Sequence, residues 1–268
     1  MRLHIFYKLL QNIKIIIIFA QIINLMMRKL LLILIALLSV VHGFSQDKEY
    51  ITETETHIFW QPDRKLTAAD FQYDGSDHPE SIKECDSLGY CVVGAFGLFH
   101  VLDVTKGKYK PGKYREKIYI APAFQKTLSC MFKEDSLGIE IQQVVFDIEE
   151  LKARTIRYKI DHFYERFDMQ KPDNPNVMIF NIVYDECEEY YGKMKLQFLL
   201  AVVFGDRESE FQYWRKTVDE ELNLEILKGY ETTPEDCYRF VIDKPIEKKM
   251  VEAEYLAPSS YKKNSRQK

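Results

Sequence analysis

From Leu137 to Phe167 the chain has no proline and, after Gly138, no glycine. Within that stretch Ile141, Val144, Val145, Ile148, Leu151, Ile156, Ile160, Phe163 and Phe167 recur near helical spacing, with Glu149, Glu150, Lys152, Arg154 and Arg157 between them. The pattern predicts one long amphipathic helix, at about 137–167, whose apolar stripe must be laid against something else. Asp135 or Ser136 stands where a cap would satisfy its first amides.

The other elements sort by type on either side of this helix. Before it, Cys91–Val104 and Tyr114–Phe124 are β-branched, aromatic and apolar. With the Gly- and Pro-bearing Lys106–Lys113 between them, they predict a hairpin. Ile58-Phe59-Trp60 is a short apolar run, Leu66–Phe71 a brief helical turn, and the Asp-, Ser- and Gly-rich Tyr73–Gly89 a loop. After the long helix, Lys171-Pro172-Asp173-Asn174-Pro175 breaks the chain. Helical stretches then follow at about 176–204, with Gly192 a point of disturbance, and at about 208–227. Strands first and helices afterwards imply an α+β fold, a small antiparallel sheet in the N-terminal half followed by about three helices.

Residues 1–45 have a different character. Met27-Arg28-Lys29, the apolar run Leu30–Val41, then Gly43 and Ser45 form a basic start, an apolar stretch and small residues at −3 and −1 of a cleavage site. The run falls short of the ~20 residues that span a bilayer. A signal peptide over 27–45 is expected, with Gln46 as the mature N-terminus and residues 1–25 preceding the true start. Cleavage would leave no membrane span and a periplasmic, secreted or cell-surface protein. Without 1–45 there remain 223 residues with 32 basic and 41 acidic side chains, a charge of −9. That disfavours a nucleic-acid partner, which needs a basic face, and attraction to anionic lipid. Residues 46–258 are expected to form a single domain, and Ser259–Lys268, with four positive charges, a disordered tail.

Chemical motifs are sparse. There is no P-loop, GxGxxG or GxSxG. Of the histidines after the leader, His57, His78, His100 and His162, no two have metal-ligand spacing. The five cysteines, an odd number, include no CxxC. Asp147, Glu150, Asp185 and Glu186 are candidates for a carboxylate cluster, and a pair at suitable separation would suit glycoside hydrolysis. Tyr158, Tyr164, Tyr184, Tyr190, Tyr191 and Trp214 either pack the core or line a cleft for peptide or glycan.

Four fragments in order resemble one family. Trp60 is followed by Leu66-Thr67-Ala68-Ala69-Asp70-Phe71, and Ile118-Tyr119-Ile120-Ala121 leads to Phe124 and Ser129-Cys130. Next comes Ile141-Gln142-Gln143-Val144-Val145-Phe146-Asp147-Ile148-Glu149-Glu150-Leu151-Lys152-Ala153-Arg154, and last Tyr184-Asp185 with Tyr191-Gly192 and, later, Trp214. The order resembles the bacterial domain-of-unknown-function family 922, exported zinc-peptidase-like proteins. Their third fragment reads His-Glu-x-x-His-Phe-Asp-Ile-x-Glu-x-x-Ala-Arg, and their fourth Tyr-Asp-x-x-Thr-x-His-Gly. The resemblance spans roughly Trp60–Leu222, and Phe146–Ile148, Glu150 and Ala153-Arg154 carry most of it.

The departures fall on the chemistry. Where the family has two helical histidines this chain has Ile141 and Val145. Gln142 replaces the glutamate, and Tyr191, with one residue more in the spacing, replaces the third histidine. In HExxH the i and i+4 imidazoles grip zinc from one helix face while the glutamate is general base on the bound water. Isoleucine and valine have no lone pair, and an amide takes no proton near neutrality. The resemblance therefore implies a degenerate member with no metal, cofactor or catalytic residue at Ile141, Gln142, Val145, Glu150 and Tyr191. Its partner would be a protein, peptide or glycan of the cell envelope. The alternatives are a metal-independent hydrolase using a carboxylate pair and a purely structural envelope protein. In the family arrangement the regions of Cys130 and Cys187 both approach the site, which makes them a candidate disulfide. Cys85 and Cys91, close in sequence around a turn, are the competing pair.

Overall fold

The computed structural model describes residues 50–75, 79–106, 116–166 and 177–253. The leader with its cleavage site, most of the 106–113 turn, the break at 171–175, His78 and the basic tail lie outside the described residues.

Strand β1 (His57–Phe59) is followed by α1 (Pro79–Leu88), β2 (Val92–Val93), β3 (Phe96–Thr105), β4 (Lys117–Gln125) and β5 (Cys130–Met131). Then come α2 (Ser136–Asp161), the short α3 (Phe163–Arg166), α4 (Val177–Phe204), α5 (Arg207–Leu222), α6 (Pro234–Val241) and β6 (Met250–Glu252). The expected α+β class holds, with the antiparallel sheet β1-β4-β3-β6 and most of the helix after it. The expected hairpin is β3–β4, in a register that pairs Phe96 with Phe124, His100 with Ile120 and Asp103 with Lys117. β2 and β5 make a separate two-stranded piece.

Alternation along β3 and β4 sends side chains to both faces of the sheet, and both faces are covered. Leu98 and Ile120 join the large core built on α2, α4 and α5. Phe99, Val101, Tyr119, Ala121 and Ala123 pack with Phe59 against Cys237 and Phe240 of α6. Burial on two faces explains why the sequence of these strands is continuously apolar.

Three expectations need correction. Cys91–Val104 is not one strand. It turns a corner at Gly94, where a Cβ would lie 2.4 Å from the Phe96 ring and 2.8 Å from Gln142 Oε1. Tyr73–Gly89 is not all loop, since α1 lies within it. Proline at its first position costs no hydrogen bond there, and Gly89, at φ 69°, ends it in the left-handed region. The long helix stops at Asp161, with α3 following after His162.

The disulfide is Cys85–Cys91, joining the end of α1 to the start of β2 with Cα atoms 4.5 Å apart. The Cys130–Cys187 pairing is therefore wrong: both thiols are free and buried. Cys130 stands just before the first turn of α2, whereas Cys187 of α4 lies in the field of Lys152 and Lys159, near that helix's other end. At 1.5 Å per residue, roughly 25 Å of helix separates the two places, far beyond the ~7 Å a disulfide tolerates.

Candidate functional site

Helix α2 is the axis of the molecule. Asp135 caps it by accepting from Gly138 N at 2.9 Å, and every residue from Ile141 to Arg154 is buried. Ile141 and Val145, the positions of the two family histidines, belong to the large apolar core. Ion pairs set the facing helix. Lys195 meets Glu149 at 2.7 Å, Lys152 meets Glu188 at 2.8 Å and Lys159 meets Glu186 at 2.8 Å, so α4 runs antiparallel to α2. Continued toward the start of α2, that register brings the stretch 198–203 opposite Ile141 and Val145, and Phe198 and Val202 are buried in the same cluster. A second side of this cluster is closed by Phe211 and Val218 of α5.

Gln142, at the position of the family glutamate, has all its amide groups engaged. Its Nε2 donates to Val92 O at 3.0 Å and Tyr90 Oη at 2.9 Å, and its Oε1 accepts from Gly94 N at 3.0 Å. The side chain thus takes a carbonyl and an N–H from the segment carrying β2, as a neighbouring strand would. A glutamate here would lose the two donors and set its carboxylate against the Val92 carbonyl.

The next turn gathers the fragments of the resemblance. Phe146 packs with Ile58, Trp60, Leu66 and Phe124, and Phe71 and Phe96 lie against them. Asp147 Oδ1 accepts from Trp60 Nε1 at 2.7 Å and Gln143 Nε2 at 2.9 Å, while Arg215 of α5 donates to Oδ2 at 2.6 Å. Gln143 Oε1 holds Leu66 N at 3.0 Å. Asp70 accepts from Arg64 at 2.7 and 3.0 Å and from Thr67 N at 2.7 Å. Burial alone would raise the Asp70 pKa, but Arg64 and Thr67 outweigh it and hold the carboxyl below its usual range. Sequence reasoning missed Gln143, Arg215 and Thr232. The only sequence signal for Arg215 is its i+4 spacing to Asp219, which it also contacts, at 2.5 and 3.1 Å.

Glu150 is fully buried and structural. It accepts from Arg154 Nε at 2.8 Å, Thr232 N at 2.9 Å and Thr232 Oγ1 at 2.5 Å. Arg154 goes on to Leu222 O at 3.0 Å, and its guanidinium lies 5.4 Å from the Trp60 ring. Together these groups tie the segment leading into α6 to the middle of α2.

Tyr191 is not beside Ile141 and Val145, which corrects the expected third-ligand position. Its hydroxyl meets Thr155 Oγ1 at 2.7 Å. Thr155 lies ten residues beyond Val145, about 15 Å along the axis. The antiparallel register puts residue 191 across from the stretch around Lys152, beyond Val145 toward the C-terminal half of α2. Burial pushes the Tyr191 phenol far above its normal range.

The remaining candidates do not converge. Asp147 and Glu150 are enclosed by their donors, while Asp185 and Glu186 are exposed on α4, so the four acids form no cluster. Among the described residues, pockets border α2 at two places. One of 630 Å³, lined by Tyr158, Lys159, His162, Phe163, Ile182 and Glu186 among others, is at its C-terminal end. One of 330 Å³ lies among Lys65, Leu66, Ile139, Glu140, Gln143, Phe211, Arg215 and Asp219. Ile141, Gln142 and Val145 line neither. The aromatics scatter: Tyr184 packs on Phe180 and His100, Trp214 on Phe198, and Tyr158 on His162 and Tyr230. His100 sits in the core, 2 % exposed. His57 is bonded through Nδ1 to Thr56 Oγ1, and burial lowers its pKa.

Among the described residues no group of three or more His, Cys, Asp and Glu side chains could hold a metal. No described helix is long and apolar enough to cross a membrane. A zinc ion does not fit at the five degenerate positions: Ile141 and Val145 are hydrocarbon in a packed core, Gln142 is an amide with its hydrogen-bonding groups spent, Glu150 is enclosed by Arg154 and Thr232, and Tyr191 is bonded to Thr155, ten residues beyond Val145 on α2. In comparisons with known proteins, the chain matches no family model, no curated protein and no solved structure.

Proposed function

We propose that this chain is an exported, non-catalytic relative of the zinc-peptidase-like family 922, acting by binding a protein, peptide or glycan partner in the cell envelope. The observation that carries the non-catalytic reading is the use of Gln142. Its amide serves as a strut between α2 and the β2 segment, and Ile141 and Val145 beside it are core. The reading of relatedness is supported by where the resembling fragments lie. Trp60, Leu66, Phe71, Phe124, Phe146 and Asp147, distant in sequence, form one contiguous cluster. A cluster of that kind keeps a helix in place whether or not it holds a metal. The carboxylate-pair hydrolase is disfavoured because Asp147 and Glu150 are buried and already bonded to donors.

The test is metal analysis and hydrolysis with protein purified without chelator. Well under one zinc per chain and no cleavage of general protease substrates are expected. Ile141→His, Gln142→Glu and Val145→His together should not restore binding, since no third ligand stands near them. Stoichiometric zinc in the natural protein, or turnover abolished by a single acidic-residue substitution, would overturn the reading.

A further inference from the structure

We propose that the pocket at the C-terminal end of α2 is a carbohydrate-binding site, which takes a neutral sugar through the ring of Tyr158 and the spare hydrogen-bonding groups around it. The inference rests on the reading that this chain binds a partner, and it selects the glycan among the partners named there. The pocket encloses 630 Å³, within the ~300–1,000 Å³ of small-ligand sites. Tyr158, His162 and Phe163 line it from α2 and α3, and Ile182 and Val183 from α4. The Tyr158 and His162 rings lie 4.4 Å apart and inclined by 33°, and Tyr230 meets Tyr158 edge-on at 5.7 Å. Rings packed in this way fix one another's orientation, so little freedom is lost when a ligand settles on them.

Three observations set the ligand's class. The first is charge. Lys159 and Glu186, which both line the pocket, are paired at 2.8 Å, and the side chain of the remaining carboxylate, Glu165, is 75 % exposed. A charged ligand would have to break into that ion pair or be held by a solvated group, a contact worth little. The second is the backbone. The walls are helices, whose backbone groups are bonded within themselves, so an extended peptide finds no strand edge to add to. The third is what remains. His162 Nδ1 donates to Tyr158 O at 2.9 Å, so in the neutral ring Nε2 is an acceptor. It is 3.9 Å from Glu165, too far for a hydrogen bond. Lys159 gives one N–H to Glu186 Oε1, which leaves donors on Nζ and an acceptor on Oε2. The Tyr158 hydroxyl has no partner among the described residues. Donors and acceptors interspersed beside half-buried aromatic rings match a sugar, whose hydroxyls both donate and accept and whose C–H face lies flat on a ring.

The test is saturation-transfer NMR titration of the purified protein with maltotriose, cellotriose and chitotriose. At least one should bind saturably, with a dissociation constant of about 0.1–5 mM. That affinity should be the same at low salt and at about 0.5 M sodium chloride, because a neutral ligand is not screened. Tyr158→Phe, which keeps the ring and removes the hydroxyl, should weaken binding about fivefold. Tyr158→Leu, which removes the ring, should abolish it, with circular dichroism reporting whether the fold is kept. The proposal is overturned if none of the three sugars binds up to about 20 mM, where even a −2 kcal/mol interaction registers. It is equally overturned by an affinity that falls with salt, by sugar binding that Tyr158→Phe leaves unchanged, or by tighter binding of the neutral peptide acetyl-trialanine-amide in competition with the sugar. Absence of sugar binding in a protein that also lacks zinc and turnover ends this proposal alone and leaves the non-catalytic reading standing.

Discussion

The two long helices invert the usual rule. By composition α2 is the more polar and α4 the more apolar. Yet α2 buries Gln142, Gln143, Asp147, Glu149, Glu150, Lys152 and Arg154, while α4 leaves Ile182, Tyr190, Leu196, Leu200 and Phe204 exposed. Position explains it. α2 touches the sheet, the β2 segment, α4, α5 and the segment leading into α6, so every side of it is enclosed. α4 meets its neighbours on one side only. What lets α2 bury charge is that each group has a partner, since an unpartnered buried charge costs several kcal/mol.

That contrast is sharpest at Val145. Aspartate there would put a charge with no donor among Phe198, Val202 and their neighbours, and should destabilise by more than about 4 kcal/mol. Denaturant unfolding checks this, and a small loss would mean that the start of α2 is not enclosed. Gln142→Ala leaves Val92 O, Gly94 N and Tyr90 Oη without their partner and should cost about 2 kcal/mol. Gln142→Glu should be worse at neutral pH and partly recover in acid. Burial raises such a carboxyl's folded pKa, so stability is present below the unfolded value and lost as pH rises through the folded one.

Glu149 tests the opposite sign. Burial would raise its pKa, but Lys152 and Lys195, at 2.5 and 2.7 Å, outweigh that and hold it below 4.5. Its contribution is therefore present above pH 4.5 and lost as pH falls through the lower folded value. Melting temperature should drop in acid for the natural protein and less steeply for Glu149→Gln. The smallest effect belongs to α4. Leu200→Ser, at a half-exposed position, should change stability by no more than ~0.5 kcal/mol. A loss like that at Val145 would erase the difference between the helices.

The periodicity of residues 137–167 and the apolar runs flanking Lys106–Lys113 were enough to place α2, the β3–β4 hairpin and the α+β class. Such patterns are local consequences of burying one face at a helical or strand repeat. The same is true of the cap at Asp135. α1 escaped notice because its ten residues are short and polar, and α6 because eight residues are too few for an apolar face to stand out in the sequence; α1 is tied locally by Cys85–Cys91, whereas α6 is held by contacts from afar, Phe240 packing on Phe59 and Phe99.

At the candidate site the sequence alone determined that Ile141, Gln142 and Val145 offer neither metal ligand nor base, because that follows from what the side chains are. Where those side chains point, and what else stands near them, was decided by tertiary structure. Tyr191 looked adjacent when spacing along the chain was the only guide, but the antiparallel register of α4 on α2 carries it to Thr155. Cys130 and Cys187 are kept apart by the length of the same helix. Gln142 became a strut only because Gly94 turns the chain and presents Val92 O and its own N–H to it. Side-chain chemistry is a property of each residue, whereas proximity between distant residues is set by how whole elements pack, and a single sequence does not encode that packing in any local pattern.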